Sequence, residues 1–591
     1  MALHRACDSC RRRKVKCDFT TPCANCRTSL ISCQYAAVPR KRGRPRNTST
    51  STPLSPTTLP QEQPVPHALA SLASVDLGRS DPFREIHASV SPSHCVNVFS
   101  TPSGTTILPS FEITSDAARL YTTLVHVANG FLTPRTILHM VNECIDVFMQ
   151  YLFPNTPICH EPTLRDAASL FSQESQVDLG REQAFSGAQW QVTHGRPFAL
   201  ITALCAYVIS VLSPSILSLP NQLATPFLQS SLSMLRLYEV YDLEIPDSTS
   251  LTIRAWQSSA MQNTTGKPGA AYHYHGEACL LAHRLRLYDE KSIVRSSLLE
   301  SELLRLNFWL LYCADQAAST LGDRPPLFHS SMVGSNLTLR ECGTSEIPLL
   351  DETSKTYHPS LQQRLLVGFH LKRRLWCLAS DLTTGIKAYG ELKKQGSNQL
   401  DTESSHRIRL FEAFVEFTGM MDEIPSWLRY VDVSDGPAGE DNRDDDMEEQ
   451  ITKYQRVCFW AQRSNIMPVY YCCSIVILQR CIDFNVPEIL GLDGHSLSYA
   501  FRKLEIARDF VREIRIAPFM SLKAQGEPAV QRIREVGSIL LQLIQNTSHK
   551  GIKGRAEFIF AQLLDLLAKL DSKASDELGG GNGGQTAAVS L

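Results

Sequence analysis

CDSCRRRKVKCDFTTPCANCRTSLISC (Cys7–Cys33) places six cysteines in 27 residues, spaced C-x2-C-x6-C, then five residues, then C-x2-C-x6-C again. The stretch duplicates one ligand hairpin, with Cys7, Cys10 and Cys17 in the first copy and Cys23, Cys26 and Cys33 in the second. A structural zinc takes four ligands. Six sulfurs are therefore one and a half single sites, or three disulfides. Two tetrahedral ions need eight coordination positions, and six thiolates fill all eight when two of them bridge both metals. C-x2-C lets two sulfurs approach one ion while the N–H groups of the turn face the thiolates. A disulfide framework is equally even-numbered. The duplicated C-x2-C spacing favours metal, and so does a start, MALHRACDSC, with no apolar h-region to send the chain to an oxidising compartment. Metal binding energy is then what folds these residues.

Charge separates the same stretch from the rest of the chain. Residues 1–46 carry 12 Lys and Arg against Asp8 and Asp18, whereas the remainder holds 46 basic and 58 acidic residues. A basic head on an acidic body has the composition of a nucleic-acid-binding arm. The two hairpins also differ: Arg11, Arg12, Arg13, Lys14 and Lys16 lie between the ligands of the first, and only Arg27 between those of the second. The first copy is therefore the one expected to face DNA. The other twelve of the 18 cysteines are scattered through apolar surroundings and read as small buried hydrophobes.

After PRKRGRPRN (Pro39–Asn47), 13 of the 20 residues in 47–66 are Ser, Thr or Pro. Such a segment buries too little apolar surface to offset its ordering entropy, so a flexible linker is expected. From about residue 110 the pattern turns helical. Leu304, Phe308, Leu311 and Tyr312 share one face, Ile533, Val536, Leu540 and Leu541 share another, and no βαβ rhythm appears. The longest uncharged apolar stretch, Phe198–Leu212, has 15 residues, short of the roughly 20 that a membrane span needs. It is expected to be a buried helix, with no membrane partner. The acidic stretch Asp435–Gln450 is expected to be an exposed loop and the Gly-rich tail Ala574–Leu591 to be disordered.

The head resembles the fungal binuclear zinc cluster (Zn2Cys6) transcription factors in its six cysteines, its basic run and Pro22. The resemblance implies two Zn2+ per chain, with Cys7 and Cys23 bridging, Cys10 and Cys17 completing one site, and Cys26 and Cys33 the other. It further implies that Lys14, four residues after the second cysteine, reads a CGG triplet in the major groove of double-stranded DNA. Arg11, Arg13 and Lys16 would then contact phosphates, which add affinity without sequence information. Arg40, Lys41, Arg42, Arg44 and Arg46 have two readings, a nuclear import signal or an arm in an A·T-rich minor groove. Members that dimerise usually follow this arm with a coiled coil. Here only Leu69, Leu72 and Val75 precede Gly78, so monomer and homodimer both stay open.

The resemblance continues into the family's helical middle region through IDVFMQYLFPNTPICHEPTL (145–164), FWLLYCADQAASTLGDRPP (308–326), IPSWLR (424–429) and the helix over 533–544. The expected organisation is a small Zn2Cys6 domain over 1–38, a basic arm over 39–46, a disordered Ser/Thr/Pro-rich linker over 47–110, a large all-α regulatory domain over 111–572, and a tail over 573–591. The function implied is a nuclear regulator, an activator, of RNA polymerase II genes, working with the transcription machinery. For its targets a secondary-metabolite cluster of polyketide type is favoured over sugar or carbon-source use. An enzyme or metabolite-binding protein with a zinc localisation module is the competing class, and no catalytic residue supports the enzyme. His275, Cys279 and His283 fall at i, i+4 and i+8, but three donors spread over eight residues strain a single ion, so a structural role is expected. NTTGKPG (263–269) lacks the upstream glycine of a phosphate loop.

Overall fold

The face shared by Leu304, Phe308, Leu311 and Tyr312 is buried on the helix Leu298–Gly322, as a 3.6-residue apolar period requires. The computed structural model describes residues 6–8, 10, 16–18, 20–28 and 33 of the head. Between 110 and 570 it describes all but 133–134, 173–193, 213–214, 295, 323, 329–336, 340–346, 395–399, 430, 432–444 and 493–494. By its contacts the chain forms two units, Met1–Pro102 and Ser103–Leu591. Among the described residues every regular element is helical. The basic arm, the linker with Leu69, Leu72 and Val75, and the Gly-rich tail lie outside the described residues.

The apolar run Phe198–Leu212 forms the helix Arg196–Leu212, in which 14 of 17 residues are buried. It packs against Ala224–Glu244 and Ser248–Thr265, and the latter also lies on Pro268–Arg284. The longest helix, Asp445–Asp483, is apolar on more than one side. Ile466, Val469, Cys473 and Ile477 enter a large core shared with Arg196–Leu212 and Leu361–Lys394. Cys472, Ile475, Val476 and Leu478 enter a second core built with Ser496–Ile516, Glu527–Asn546 and Lys550–Lys569. Within it, Glu449–Asp483 is long and apolar enough to cross a bilayer, yet it is the shared wall of two cores. The acidic stretch departs from the loop expected over Asp435–Gln450. Asp445–Gln450 open this helix, and 435–444 lie outside the described residues.

Helix Ile137–Val147 loosens into a π turn over Phe148–Leu152 and a 3-10 turn over Phe153–Asn155. Pro154 has no N–H to continue the ladder, so carbonyls at this end need side-chain donors. Gln462 Nε2 supplies Pro154 O at 2.6 Å and Leu365 O at 2.7 Å, and Lys372 Nζ supplies Asn155 O at 2.8 Å. Gly368 makes the Gln462 bridge possible, because a Cβ there would collide with the Gln462 amide. Gly368→Ala should therefore displace Gln462, orphan two buried carbonyls and cost about 1–3 kcal/mol. Thermal unfolding followed by circular dichroism checks this. An unchanged melting temperature would mean that the helices Leu361–Lys394 and Asp445–Asp483 separate at no cost.

A charged cluster lies in the interior. Asp242 is fully buried and accepts from Arg196 Nε at 3.0 Å, Arg254 Nη1 at 2.6 Å and Ser250 Oγ at 2.6 Å. Asp247 supplies a second carboxylate, receiving Arg196 Nη1 at 2.7 Å, and caps the helix Ser248–Thr265 through Ser250 N at 3.0 Å. Of the ten described cysteines beyond the head, nine are buried and none is in a disulfide. Burial pushes the thiols of Cys159, Cys279 and Cys473 well above the usual thiol range.

Candidate metal centre and nucleic-acid interface

The duplication seen in the spacing recurs as geometry. In the first C-x2-C turn the Cys10 N–H donates to Cys7 Sγ at 3.4 Å, and in the second the Cys26 N–H donates to Cys23 Sγ at 3.4 Å. Both turns therefore aim a backbone dipole at their first sulfur. Cys7, Cys10, Cys17, Cys23 and Cys26 are buried, and Cys33 is half-buried.

The six sulfurs fall into two quartets, Cys7, Cys10, Cys17 and Cys23, and Cys7, Cys23, Cys26 and Cys33, each with its ligand atoms within 4.8 Å of one another. Cys7 and Cys23 belong to both. Their sulfurs lie 3.8 Å apart, and Cys7–Cys26 and Cys10–Cys23 are each 3.5 Å apart. A tetrahedral zinc with sulfurs at about 2.3 Å has S···S edges of about 3.8 Å, so the spacing fits metal. It is far beyond the roughly 2.05 Å of a disulfide. The soft, all-thiolate donor set suits zinc.

Proton affinity within the cluster is uneven. The Cys10 N–H, ahead of all other influences, holds the Cys7 thiol down to about 6. Burial raises Cys23, but the Cys26 N–H and neighbouring thiols outweigh it and the net shift is downward. Burial pushes Cys10 up to about 12 and Cys26 well above the thiol range. Negative charge thus gathers first on the two sulfurs common to both quartets, where two divalent ions would place the most positive charge.

Asp18 entered the sequence reading only as a charge, yet it ties the two copies together. Its carboxylate accepts from Ala24 N at 2.9 Å and from Thr20 N at 3.3 Å. The first of these, at the start of the short helix Ala24–Thr28, holds the Asp18 carboxyl below its ordinary range. An Asp four residues before a Pro is a turn signal that could have been read. Thr21–Pro22 is cis. Lys16 is exposed, and its carbonyl accepts from Asn25 Nδ2. Arg11, Arg13, Lys14 and Arg40, Lys41, Arg42, Arg44 and Arg46 lie outside the described residues.

The histidine and glycine motifs of the body have structural partners. His275 Nε2 meets Cys279 Sγ at 3.3 Å, and burial depresses the imidazole to about 4. His283 Nε2 bonds Leu327 O at 3.2 Å, and its ring stacks on Phe328 at 4.5 Å. In NTTGKPG, Gly266 takes φ 65° as the left-handed cap of Ser248–Thr265, and Pro268 opens the next helix. Among the described residues the head cysteines alone form metal-competent clusters.

Comparison with known proteins agrees with this geometry. Residues 5–43 match the fungal Zn(2)-Cys(6) binuclear cluster domain and residues 145–371 the fungal specific transcription factor domain. The chain is 51% identical over 39 residues to the arabinolytic transcriptional activator araR of Emericella nidulans, covering 7% of this chain and 5% of that protein. It is 29% identical over 161 residues to the C6 finger domain transcription factor iacK of Pestalotiopsis fici, covering 26% and 23%. With the probable transcriptional regulatory protein STB4 of Saccharomyces cerevisiae it shares 32% over 106 residues, 17% and 11% of the two chains. Each match thus spans less than a quarter of the relative. No solved structure matches the chain. The chain thus carries a fungal Zn(2)-Cys(6) binuclear cluster domain over the two sulfur quartets and a fungal specific transcription factor domain within the helical body.

Proposed function

We propose that the chain is a nuclear, sequence-specific activator that reads CGG-containing promoter sites through the first cysteine hairpin. The observation that carries the reading is the pair of sulfur quartets sharing Cys7 and Cys23, with the basic run 11–16 inserted in the first copy only. Cys7 and Cys23 bridge two zincs, Cys10 and Cys17 complete one tetrahedron, and Cys26 and Cys33 complete the other. Lys14 donates to guanine O6 and N7, and Arg11, Arg13 and Lys16 contact phosphates. The Arg40–Arg46 arm serves nuclear import and adds phosphate contacts. The helical body regulates rather than catalyses.

Lys14→Ala should cost roughly 1–3 kcal/mol on a CGG duplex and relax base preference, whereas Lys16→Ala should weaken all duplexes alike and flatten the salt dependence. Gel-shift titration of the full chain on CGG and scrambled duplexes at several salt concentrations separates the two. An equal loss of preference in both variants would remove the division of labour, and indifference of the parent chain to CGG would remove the reading itself.

For the target genes we infer a secondary-metabolite cluster, on the absence of a heptad coil from the sequence. Carbon-source control is the second reading. Relatives named as arabinolytic and xylanolytic activators favour it, though they match over only 39 and 42 residues. Genome-wide binding decides between them.

A further inference from the structure

The helical body contains a cavity of about 360 Å³. Its floor is formed where helices Leu298–Gly322, Leu361–Lys394 and Glu527–Asn546 meet the π and 3-10 turns after Val147. Its rim is exposed at Pro268, Arg324 and Gln531, so small molecules can enter. The volume lies within the roughly 300–1,000 Å³ usual for small-molecule sites.

The floor holds two cations without a counter-ion. Lys372 is 6% exposed and spends one donor on Asn155 O at 2.8 Å, with its ammonium 5.5 Å from the Phe369 ring. Arg532 is 4% exposed and donates from Nη2 to Gln525 Oε1, while its buried Nε has no hydrogen-bond partner. The described lining contains no aspartate or glutamate. Burial lowers the proton affinity of Lys372, and burial lowers that of Arg532 to about 10. Both cations line the same cavity.

Buried cations are ordinarily paired, as Arg196 and Arg254 are on Asp242 in this same body. Leaving two of them together, unpaired, in a solvent-connected cavity is a cost that an incoming anion removes. Arg532 offers a planar edge suited to a carboxylate, and Lys372 offers a point charge beside it. The rest of the wall is largely apolar and aromatic, with Leu152, Leu311, Leu321, Tyr272 and Trp376. It suits a hydrocarbon or aromatic body.

We propose that this cavity binds a small organic acid, its carboxylate on Lys372 and Arg532 and its apolar body against Trp376 and the leucines. The inference rests on the helical body alone and stands whether or not the head reads CGG.

The test is calorimetric titration and thermal shift on the zinc-loaded full chain with benzoate, phenylacetate and octanoate, each beside its neutral amide. At least one acid should bind saturably and raise the melting temperature where its amide does not. Lys372→Gln and Arg532→Gln, which keep a hydrogen-bond donor but lose the charge, should weaken that acid about tenfold or more. Lys372→Arg should retain it, with folding of all variants checked by circular dichroism. Failure of every acid to bind, equal binding of acids and amides, or undiminished binding by both glutamine variants would each overturn the proposal.

Discussion

Serine in place of Cys7 or Cys23 is expected to empty both zinc sites, whereas serine in place of Cys33 is expected to empty one. Cys7 and Cys23 stand in both quartets, so losing either sulfur leaves three thiolates around each position. Losing Cys33 leaves Cys7, Cys10, Cys17 and Cys23 complete. Structural zinc contributes on the order of 10–16 kcal/mol in small domains, and among the described residues of the head five of the six cysteines form its buried cluster. The doubly depleted head should therefore lose its fold and its duplex binding together. Elemental analysis of the purified full chain gives the zinc count, and gel shift gives the binding. Equal zinc loss in Cys7→Ser and Cys33→Ser would show that the bridging thiolates are not the two proposed.

In the body the largest effect is expected at Asp242. Asp242→Ala leaves the guanidinium groups of Arg196 and Arg254, 7% and 2% exposed at their side chains, without their shared carboxylate. Removing one partner from a buried charge cluster typically costs about 3–5 kcal/mol. Asp247 retains its contact with Arg196 Nη1, so Arg254 is the group left uncompensated. Chemical denaturation of the full chain, followed at 222 nm, should show the helical transition at much lower denaturant. A change within about 0.5 kcal/mol, the range of ordinary surface substitutions, would mean that water reaches the cluster.

How far each feature could be read depended on how far apart its partners lie in the chain. The zinc ligands are local, spaced by turns whose geometry two or six intervening residues nearly dictate, and each quartet in space is one sequence copy joined by the first cysteine of the other. The helical body was legible in the same way, since Leu304, Phe308 and Leu311 declare their common face within two turns. Asp242 was not legible. Its three partners sit on two other helices, Arg196 46 residues upstream and Ser250 and Arg254 8 and 12 residues downstream, and an aspartate in SMLRLYEVYDLE looks like any solvated one. Lys372, whose acceptor is 217 residues away, was hidden for the same reason. The acidic run misled because composition favoured a loop while the following apolar helix claimed Asp445–Gln450 as its first turns.

The burial of the thiols in the body has a practical consequence for anyone handling the protein. Nine of the ten described body cysteines are sealed from solvent, and several have thiols held strongly protonated by that burial, which suppresses the thiolate that electrophiles attack. The head sulfurs sit in a small unit whose fold depends on metal. Among the described cysteines, an alkylating mass tag applied to the native, chelated chain therefore reaches the head sulfurs ahead of those of the body. Labelling at those six sulfurs becomes a direct gauge of how much of a preparation has lost its metal.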